Sequence, residues 1–166
     1  MDNAEIRDVA ARLELKEELH AVLKEYHAAN RMRNTPEREA MVDIIYFSPT
    51  LPRHFTVEEL YSQFSEGRFR VALSTVYNNM PLLVNAGLLK VLYLGPTVCY
   101  ERCYREAPHA HAVCRCCGKV WDVPRDRNVE NLTRVKVKGF RWDAPEMVLT
   151  GTCTLCRRKL RKKQKK

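Results

Sequence analysis

Two Cys-X-X-Cys pairs restrict the possible folds of this 166-residue chain more than any other feature of its sequence. Cys114 and Cys117 form the first pair, and Cys153 and Cys156 form the second. Together they supply four thiolates, which is the ligand set of a closed tetrahedral zinc site that stabilises a fold and performs no chemistry. Gly118 follows the first pair, where a tight knuckle turn favours a residue without Cβ. The pattern therefore predicts a structural Zn²⁺ site in the C-terminal half.

The other cysteines and the N-terminus bear on the compartment. The first residues lack the basic start and apolar core of an export signal, and no uncharged apolar run is long enough to span a bilayer. We therefore expect a cytoplasmic protein with reduced thiols and no membrane partner. Cys116 offers an alternative Cys-X-Cys pairing, although Gly118 favours Cys117. Cys99 and Cys103 are either additional soft ligands or small buried hydrophobic residues.

The net charge of +9 is concentrated at the C-terminus. Residues 157–166 contain eight basic residues and no acidic residue, and the basic and acidic residues of the rest of the chain nearly balance. A disordered solubilising tail is the simpler interpretation, and a DNA contact is the alternative. Charge alone therefore does not establish DNA binding.

The N-terminal half alternates helices and breaks. Residues 4–28 have the periodicity of a long amphipathic helix, and a second helix is expected to begin with Thr35 as N-cap and Pro36 in its first turn. Thr56 and Glu59 have the spacing of a capping box at the start of a third helix. A fourth is expected from about Ser74 to Ala86, followed by two strands that turn at residues 95–96. Three short helices followed by a hairpin predict a winged helix-turn-helix.

In such a fold the fourth helix enters the major groove with its first turn facing the bases. Thr75, Tyr77, Asn78 and Asn79 lie off its apolar face, and their side chains suit base edges and thymine methyl groups. Arg68 and Arg70 precede the helix and are candidates for phosphate contacts. Pro81 conflicts with a continuous helix, so we expect a kink or an early end near residue 80. A small helical bundle without a ligand is the alternative.

The C-terminal half contains shorter periodic segments and more metal-binding residue types. His109 and His111 precede the first Cys pair, and alternation along a strand places them on one face. Residues 119–123 suggest the returning strand, which includes Asp122, and residues 125–138 suggest a helix. An isolated His-X-His is a weak signal, because a pair of surface or core histidines gives the same pattern.

Six motifs, in order and spacing, resemble the ferric uptake regulator family. They are TPER at 35–38, HFTVEEL at 54–60, STVYNNM at 74–80, AGLL at 86–89, HAHAVCRCCGKV at 109–120 and GTCTLC at 151–156. The resemblance covers about residues 31–158. It implies a homodimeric metal-dependent repressor with a C-terminal dimerisation domain, structural zinc and a sensing metal site.

The resemblance also implies roles for individual residues. The family's zinc cysteines correspond to the two Cys-X-X-Cys pairs, and its DNA contacts to Arg33, Tyr77 and Asn78. Asn78 stands where members often have arginine, which removes a guanidinium from that contact. The sensing site, for Fe²⁺ or another divalent metal, corresponds to His54, Glu101, His109, His111 and Asp122.

These observations predict an α+β fold with a winged helix-turn-helix followed by a small α/β dimerisation domain that has a Cys₄ zinc site. The expected partner is a double-stranded DNA operator with an inverted repeat, and we expect neither an enzyme nor a small-molecule substrate. Iron-responsive control of metal-uptake genes is the leading interpretation, and zinc, manganese, peroxide or haem sensing are the alternatives. A zinc-ribbon interaction module without DNA binding is the alternative from another class. The expected segments are a helical extension at 1–30, a DNA-binding domain at 31–95, a dimerisation and metal-binding domain at 96–156 and a basic tail at 157–166.

Overall fold

The computed structural model describes residues 3–65, 70–93, 98–107, 109–123, 131, 136–141 and 147–163. They belong to two compact units. The first comprises the described residues up to Leu92 together with Val98–Glu106, and the second comprises Tyr93 and the described residues from Ala107 onward. The segment Val98–Glu106 thus belongs to the first unit, whereas the division of the sequence at residue 95 assigned it to the second. None of the helices in the described ranges is long and apolar enough to cross a membrane.

The first unit has the architecture of a winged helix-turn-helix. Its four helices are α1 (Asn3–Ala29), α2 (Pro36–Phe47), α3 (Val57–Ser65) and α4 (Leu73–Asn85). Its strands are β1 (His54–Phe55), β2 (Leu89–Tyr93) and β3 (Val98–Arg102), in the sheet order β1-β3-β2. The turn expected at residues 95–96 lies outside the described residues.

The core of this unit joins all four helices. The second half of α1 contributes to it, since Leu19 and Leu23 are fully buried, whereas Val9 and Leu13 are exposed. The predicted amphipathic pattern of α1 therefore describes packing only in its C-terminal half. The core partners of Leu19 and Leu23 are Met41, Val42 and Ile45 of α2, Leu60 and Phe64 of α3, and Val76, Met80 and Leu83 of α4.

Two helix starts follow the sequence signals. Pro36 opens α2 with Thr35 as its N-cap. The capping box at α3 is formed, because the Thr56 backbone N–H donates to Glu59 Oε2 at 2.8 Å and the Glu59 N–H donates to Thr56 Oγ1 at 3.2 Å. These bonds fix the junction between β1 and α3, and thereby the position of His54 two residues earlier.

Of the kink or early end expected near residue 80, the early end is wrong, because α4 continues to Asn85. The Pro81 ring lies on the exposed side, while Leu82 and Leu83 in the following turn are buried. Burying each leucine contributes about 1.5–3 kcal/mol, which offsets a cost of about 3 kcal/mol for an internal proline. Tertiary packing therefore outweighs the local conflict. The helix ends at Asn85 with Ala86 as its C-cap, and Gly87 after it takes a positive φ of 73°.

The second unit is a three-stranded sheet with one helix following it. Its strands are β4 (Ala110–Cys114), β5 (Val120–Val123) and β6 (Val148–Gly151), and β4 lies in the centre. β5 pairs with β4 antiparallel and β6 pairs with it in parallel. The helix expected over residues 125–138 lies mostly outside the described residues, and its end at Val137 forms a β-bridge with Phe140.

The helix α5 (Thr154–Lys163) contradicts the expectation of a disordered tail for residues 157–163. Its first turn is closed by the Arg157 N–H, which donates to the Cys153 carbonyl at 2.9 Å. Forming the first turn is the costly step in making a helix. The second Cys pair holds that turn, so the basic residues extend a helix that has already begun.

Candidate functional site

The four cysteine sulfurs of the two Cys-X-X-Cys pairs converge in the second unit. All four Sγ atoms of Cys114, Cys117, Cys153 and Cys156 lie within 4.8 Å of one another, and Cys117 Sγ is 3.9 Å from Cys153 Sγ. Four thiolates around Zn²⁺ at about 2.3 Å would have sulfurs separated by about 3.8 Å. The spacing therefore fits a tetrahedral zinc site.

The turn of the first pair explains the choice of cysteines. Gly118 has a φ of 70°, which side chains with a Cβ rarely adopt, and its N–H donates to the Cys114 carbonyl at 2.8 Å. Cys116 points elsewhere, with its Sγ 3.9 Å from Thr152 Oγ1. Gly118 thus closes a knuckle that directs Cys117 into the cluster and leaves Cys116 exposed.

The electrostatics of the cluster also suit a cation. The Cys153 backbone N–H, 3.3 Å from Cys114 Sγ, is the main reason that the pKa of Cys114 falls to about 6. The neighbouring Cys153 and Cys117 side chains raise the pKa of Cys156 to about 12. One thiol is therefore readily ionised, while another resists ionisation and keeps its proton because it shares that proton with the neighbouring sulfurs. A divalent cation among the four sulfurs would remove that resistance.

A second group of ligand types lies at the opposite end of β4 from Cys114. The rings of His109 and His111 are 4.7 Å apart between centroids, which agrees with the predicted common face. His111 pairs with Asp122 across the β4–β5 ladder, and His109 Nε2 is 3.4 Å from Asp122 Oδ1. His111 is buried, and Asp122 is exposed.

The tautomer of His109 follows from its backbone partner. Its Nδ1 is 3.1 Å from the Ala107 carbonyl, and a carbonyl only accepts, so Nδ1 carries the proton of the neutral ring. Nε2 then presents a lone pair towards the Asp122 carboxylate. Two acceptors at this distance are complementary to a cation between them, as a bound divalent metal would be.

Within the first unit, His54 and Glu101 are direct partners in the β1–β3 ladder. His54 Nε2 is 3.6 Å from Glu101 Oε1, and only 1% of the Glu101 side chain is exposed. Arg53 Nε contacts the same Oε1 at 3.1 Å, and its Nη2 contacts Glu106 at 2.9 Å. A buried carboxylate and an imidazole are thus presented together, with a guanidinium balancing the charge. Sequence reasoning missed Arg53, although it directly precedes His54.

The predicted DNA-contact residues are distributed unevenly over α4. Tyr77 and Asn78 are exposed, Thr75 is half-buried, and Arg33 and Arg70 are exposed outside the helix. The Tyr77 hydroxyl donates to the Glu58 carboxylate of α3, a contact that no sequence signal suggested. Arg68 lies outside the described residues.

Asn79 is a correction to the predicted DNA-facing set. It is 7% exposed, its Oδ1 accepts from Arg38 Nε at 2.6 Å, and its Nδ2 donates to the Thr75 carbonyl at 2.7 Å. Its amide is therefore used inside the unit. The signal that sequence reasoning missed was Arg38 of α2. Within the motif TPER at 35–38, only the arginine side chain can donate to two acceptors at once.

Comparisons with known proteins agree with this geometry. The model of the ferric uptake regulator family matches residues 29–150. The peroxide operon regulator of Bacillus subtilis (strain 168) is 33% identical over 149 residues, 88% of this chain and 95% of its own length. The peroxide-responsive repressor PerR of Staphylococcus saprophyticus is 30% identical, covering 78% of this chain and 86% of its own.

A solved structure shows the same fold. The Helicobacter pylori ferric uptake regulator Fur superimposes with a TM-score of 0.68 at 23% identity, covering 86% of this chain and 93% of that one. The family model spans most of the chain, and the two relatives are matched over 95% and 86% of their own lengths. The chain therefore belongs to the ferric uptake regulator family, whose members are metal-responsive transcriptional regulators that bind DNA as dimers.

Proposed function

We propose that this protein is a metal-dependent repressor that binds an inverted-repeat operator as a homodimer and regulates genes in response to a divalent metal. The observation that carries the proposal is the cluster of ligand-type side chains on β4 and β5, where His109, His111 and Asp122 lie together. Such a mixed nitrogen and oxygen set suits Fe²⁺, Mn²⁺, Zn²⁺ or Co²⁺. Regulation by metal requires only that the protein bind the metal and DNA. We therefore propose that it is not an enzyme.

Two metals have different roles in this proposal. Zn²⁺ held by the Cys₄ cluster is structural, because a four-thiolate site has no open position. Fe²⁺ is the proposed regulatory ion, held by His109, His111 and Asp122 of the second unit together with His54 and Glu101 of the first. Because the proposed ligands come from both units, the bound ion would stabilise one arrangement of the two units. DNA and metal would then favour each other's binding by about 1–3 kcal/mol, as thermodynamic linkage requires.

The DNA contact is assigned to α4 and the residues that precede it. Tyr77, Asn78 and Thr75 are proposed to face bases, and Arg33, Arg68 and Arg70 to contact phosphates or the minor-groove edge. A two-fold dimer matches a two-fold operator, which is the basis for the inverted repeat. A protein with this partner acts where the chromosome is, so we propose a cytoplasmic location.

Iron availability and peroxide are two candidate signals. The notable identity with the peroxide operon regulator and with PerR favours a peroxide response. The leading alternative is control of metal-uptake genes by iron itself. The two differ in what ends repression, since peroxide reacts with Fe²⁺ far more readily than with Mn²⁺, whereas iron withdrawal needs no oxidant.

The experiment begins with a duplex enriched from a random-sequence library by binding to the Mn²⁺-loaded protein. Anaerobic titrations of Fe²⁺ and Mn²⁺ then measure binding of that duplex to wild type and to His54→Ala. We expect His54→Ala to keep its dimer and its zinc but to lose most of the metal dependence. His20→Ala is the matched control, because His20 belongs to the same unit and hydrogen-bonds to Asp43 at 2.8 Å.

Hydrogen peroxide added to the two metal-loaded forms separates the signals. A peroxide sensor releases the duplex when loaded with Fe²⁺ and retains it when loaded with Mn²⁺. Retention in both cases supports iron-responsive control. Metal-independent binding of wild type, or superimposable titrations of wild type and His54→Ala, would contradict the assignment of His54 to the regulatory site.

A further inference from the structure

A polar network lies behind the exposed face of α4, and Arg38 of α2 is at its centre. The Arg38 Nε donates to Asn79 Oδ1 at 2.6 Å, and its Nη1 donates to the Arg33 carbonyl, also at 2.6 Å. One half-buried guanidinium thereby holds two acceptors in separate parts of the first unit. One acceptor belongs to α4, and the other belongs to the segment before α2.

Asn79 extends this contact to the first turn of α4. Its Nδ2 donates to the Thr75 carbonyl at 2.7 Å while its Oδ1 accepts from Arg38, so both functions of the buried amide are used. A buried amide with both bonds made has one favoured orientation, because any rotation leaves a polar group unsatisfied. The network therefore constrains the turn on which Thr75 and Tyr77 lie.

His27 of α1 closes the network from the other side. It is 2% exposed, and its Nε2 is 3.4 Å from Arg38 Nη1. A guanidinium has donors only, so Nε2 is the acceptor and the proton of the neutral ring is on Nδ1. Asn34 and the carboxylate of Glu39 are the other polar groups near this ring. A long, weak bond of this kind orients the guanidinium and adds little energy of its own.

We propose that Arg38, Asn79 and His27 are positioning residues for DNA recognition, which hold the Arg33 segment and the first turn of α4 at a fixed separation. The inference rests on the proposed DNA binding of those two segments. None of the three needs to touch DNA. The network acts because a planar fork can satisfy both acceptors at once, whereas a lysine ammonium at the same position has no such geometry.

The test compares a specific with a random duplex. Arg38→Lys keeps the charge and loses the fork, and Asn79→Ala removes the acceptor. Each is expected to weaken binding to the enriched duplex about tenfold, the equivalent of one lost charge-assisted hydrogen bond, and to leave binding to random duplex unchanged. The double variant should lose less affinity than the sum of the two single losses, because both substitutions break the contact between Arg38 and Asn79.

Two controls separate positioning from other roles. The pair Arg38→Lys with Asn78→Ala should be additive, since Asn78 is exposed and lies outside the network. Stoichiometric titration with excess duplex measures the active fraction of each preparation, so a folding defect lowers that fraction without changing the affinity of the active molecules. Arg105→Lys, a substitution of an exposed arginine, should behave as wild type on both duplexes.

His27 is tested by a pair of variants. His27→Gln keeps an acceptor that can meet Arg38, whereas His27→Leu does not. We expect specific affinity to fall about threefold in His27→Leu and to stay near wild type in His27→Gln, since the 3.4 Å bond to Arg38 is long and weaker than the 2.6 Å bond between Arg38 and Asn79.

Several results would overturn the proposal. Wild-type affinity of Arg38→Lys would show that the fork is not needed, and an equal loss on random duplex would make Arg38 a direct phosphate contact. Additive losses for Arg38 and Asn79 would show that they act separately, and equal effects of His27→Gln and His27→Leu would remove His27 from the network. Wild-type protein that binds no duplex at all would instead refute the proposed function.

Discussion

Replacing Arg53 by glutamine should tighten binding of the regulatory metal, although it removes a stabilising contact. Glu101 is 1% exposed, and Arg53 Nε lies 3.1 Å from its Oε1. In the metal-free variant, the buried carboxylate of Glu101 no longer has the guanidinium of Arg53 beside it, which destabilises the fold. When a metal ion binds Glu101, the ion neutralises that charge, so the penalty disappears in the bound state. The substitution therefore lowers the stability of the metal-free protein but not that of the metal-bound protein, and the difference appears as tighter metal binding.

The magnitude follows from the exposure of the pair. A hydrogen bond to a charged group contributes about 1.5–3 kcal/mol. The Arg53 side chain is 35% exposed, so solvent screens part of its charge and the lower end of that range applies. A loss of about 1.5 kcal/mol in the free energy of unfolding should accompany a gain of about tenfold in metal affinity.

The assay is calorimetric titration of the zinc-loaded protein with Mn²⁺, together with urea unfolding in the absence of Mn²⁺. Arg105→Gln is the matched control, because Arg105 also pairs with a carboxylate, Glu18 at 2.9 Å, that is not a candidate ligand. The control should leave Mn²⁺ affinity unchanged. Unchanged or weaker Mn²⁺ binding by Arg53→Gln would refute the reasoning, and would mean that Arg53 prepares Glu101 for the metal.

Four further predictions concern stability and charge. Thr56→Ala breaks the capping box and should cost about 1 kcal/mol in thermal unfolding. Cys117→Ser should lose the bound zinc in metal analysis and destabilise the second unit, and normal stability without zinc would contradict a structural role. Burial, aided by the nearby charge of Arg38, lowers the pKa of His27. Below about pH 6.5 the His27 ring is protonated in the unfolded protein while it stays neutral in the folded protein, so the free energy of unfolding should fall as the pH drops below about 6.5. Urea unfolding should show a smaller fall in His27→Gln. Deleting residues 157–166 should weaken binding to specific and random duplexes alike and flatten its salt dependence, and a loss confined to the specific duplex would exclude a counterion-release role.

The local signals in the sequence predicted the helices and the convergence of cysteines well. The capping box at Thr56, the N-cap at Thr35 and the turn at Gly118 each depend on neighbouring residues, so their geometry follows from sequence spacing alone. The common face of His109 and His111 follows from strand alternation in the same way.

The errors arose where distant packing decides the outcome. Pro81 stays inside α4 because of leucines buried against other helices, and Asn79 turns inward because Arg38, 41 residues earlier, supplies its partner. Residues 157–163 form a helix because the second Cys pair holds its first turn. Periodicity describes one segment at a time, so it could not identify these partners.

The central strand β4 has a consequence for the order in which the protein is assembled. It presents His111 near its start and Cys114 at its end, three residues apart on one extended segment, or about 10 Å at about 3.3 Å per residue. With zinc in the Cys₄ cluster, the knuckle holds the end of that segment and thereby the frame on which the histidines stand. Under the proposed function, zinc loading would then come before sensing of the regulatory metal, and a copy made in a zinc-starved cell would be unable to respond to that metal until zinc was supplied.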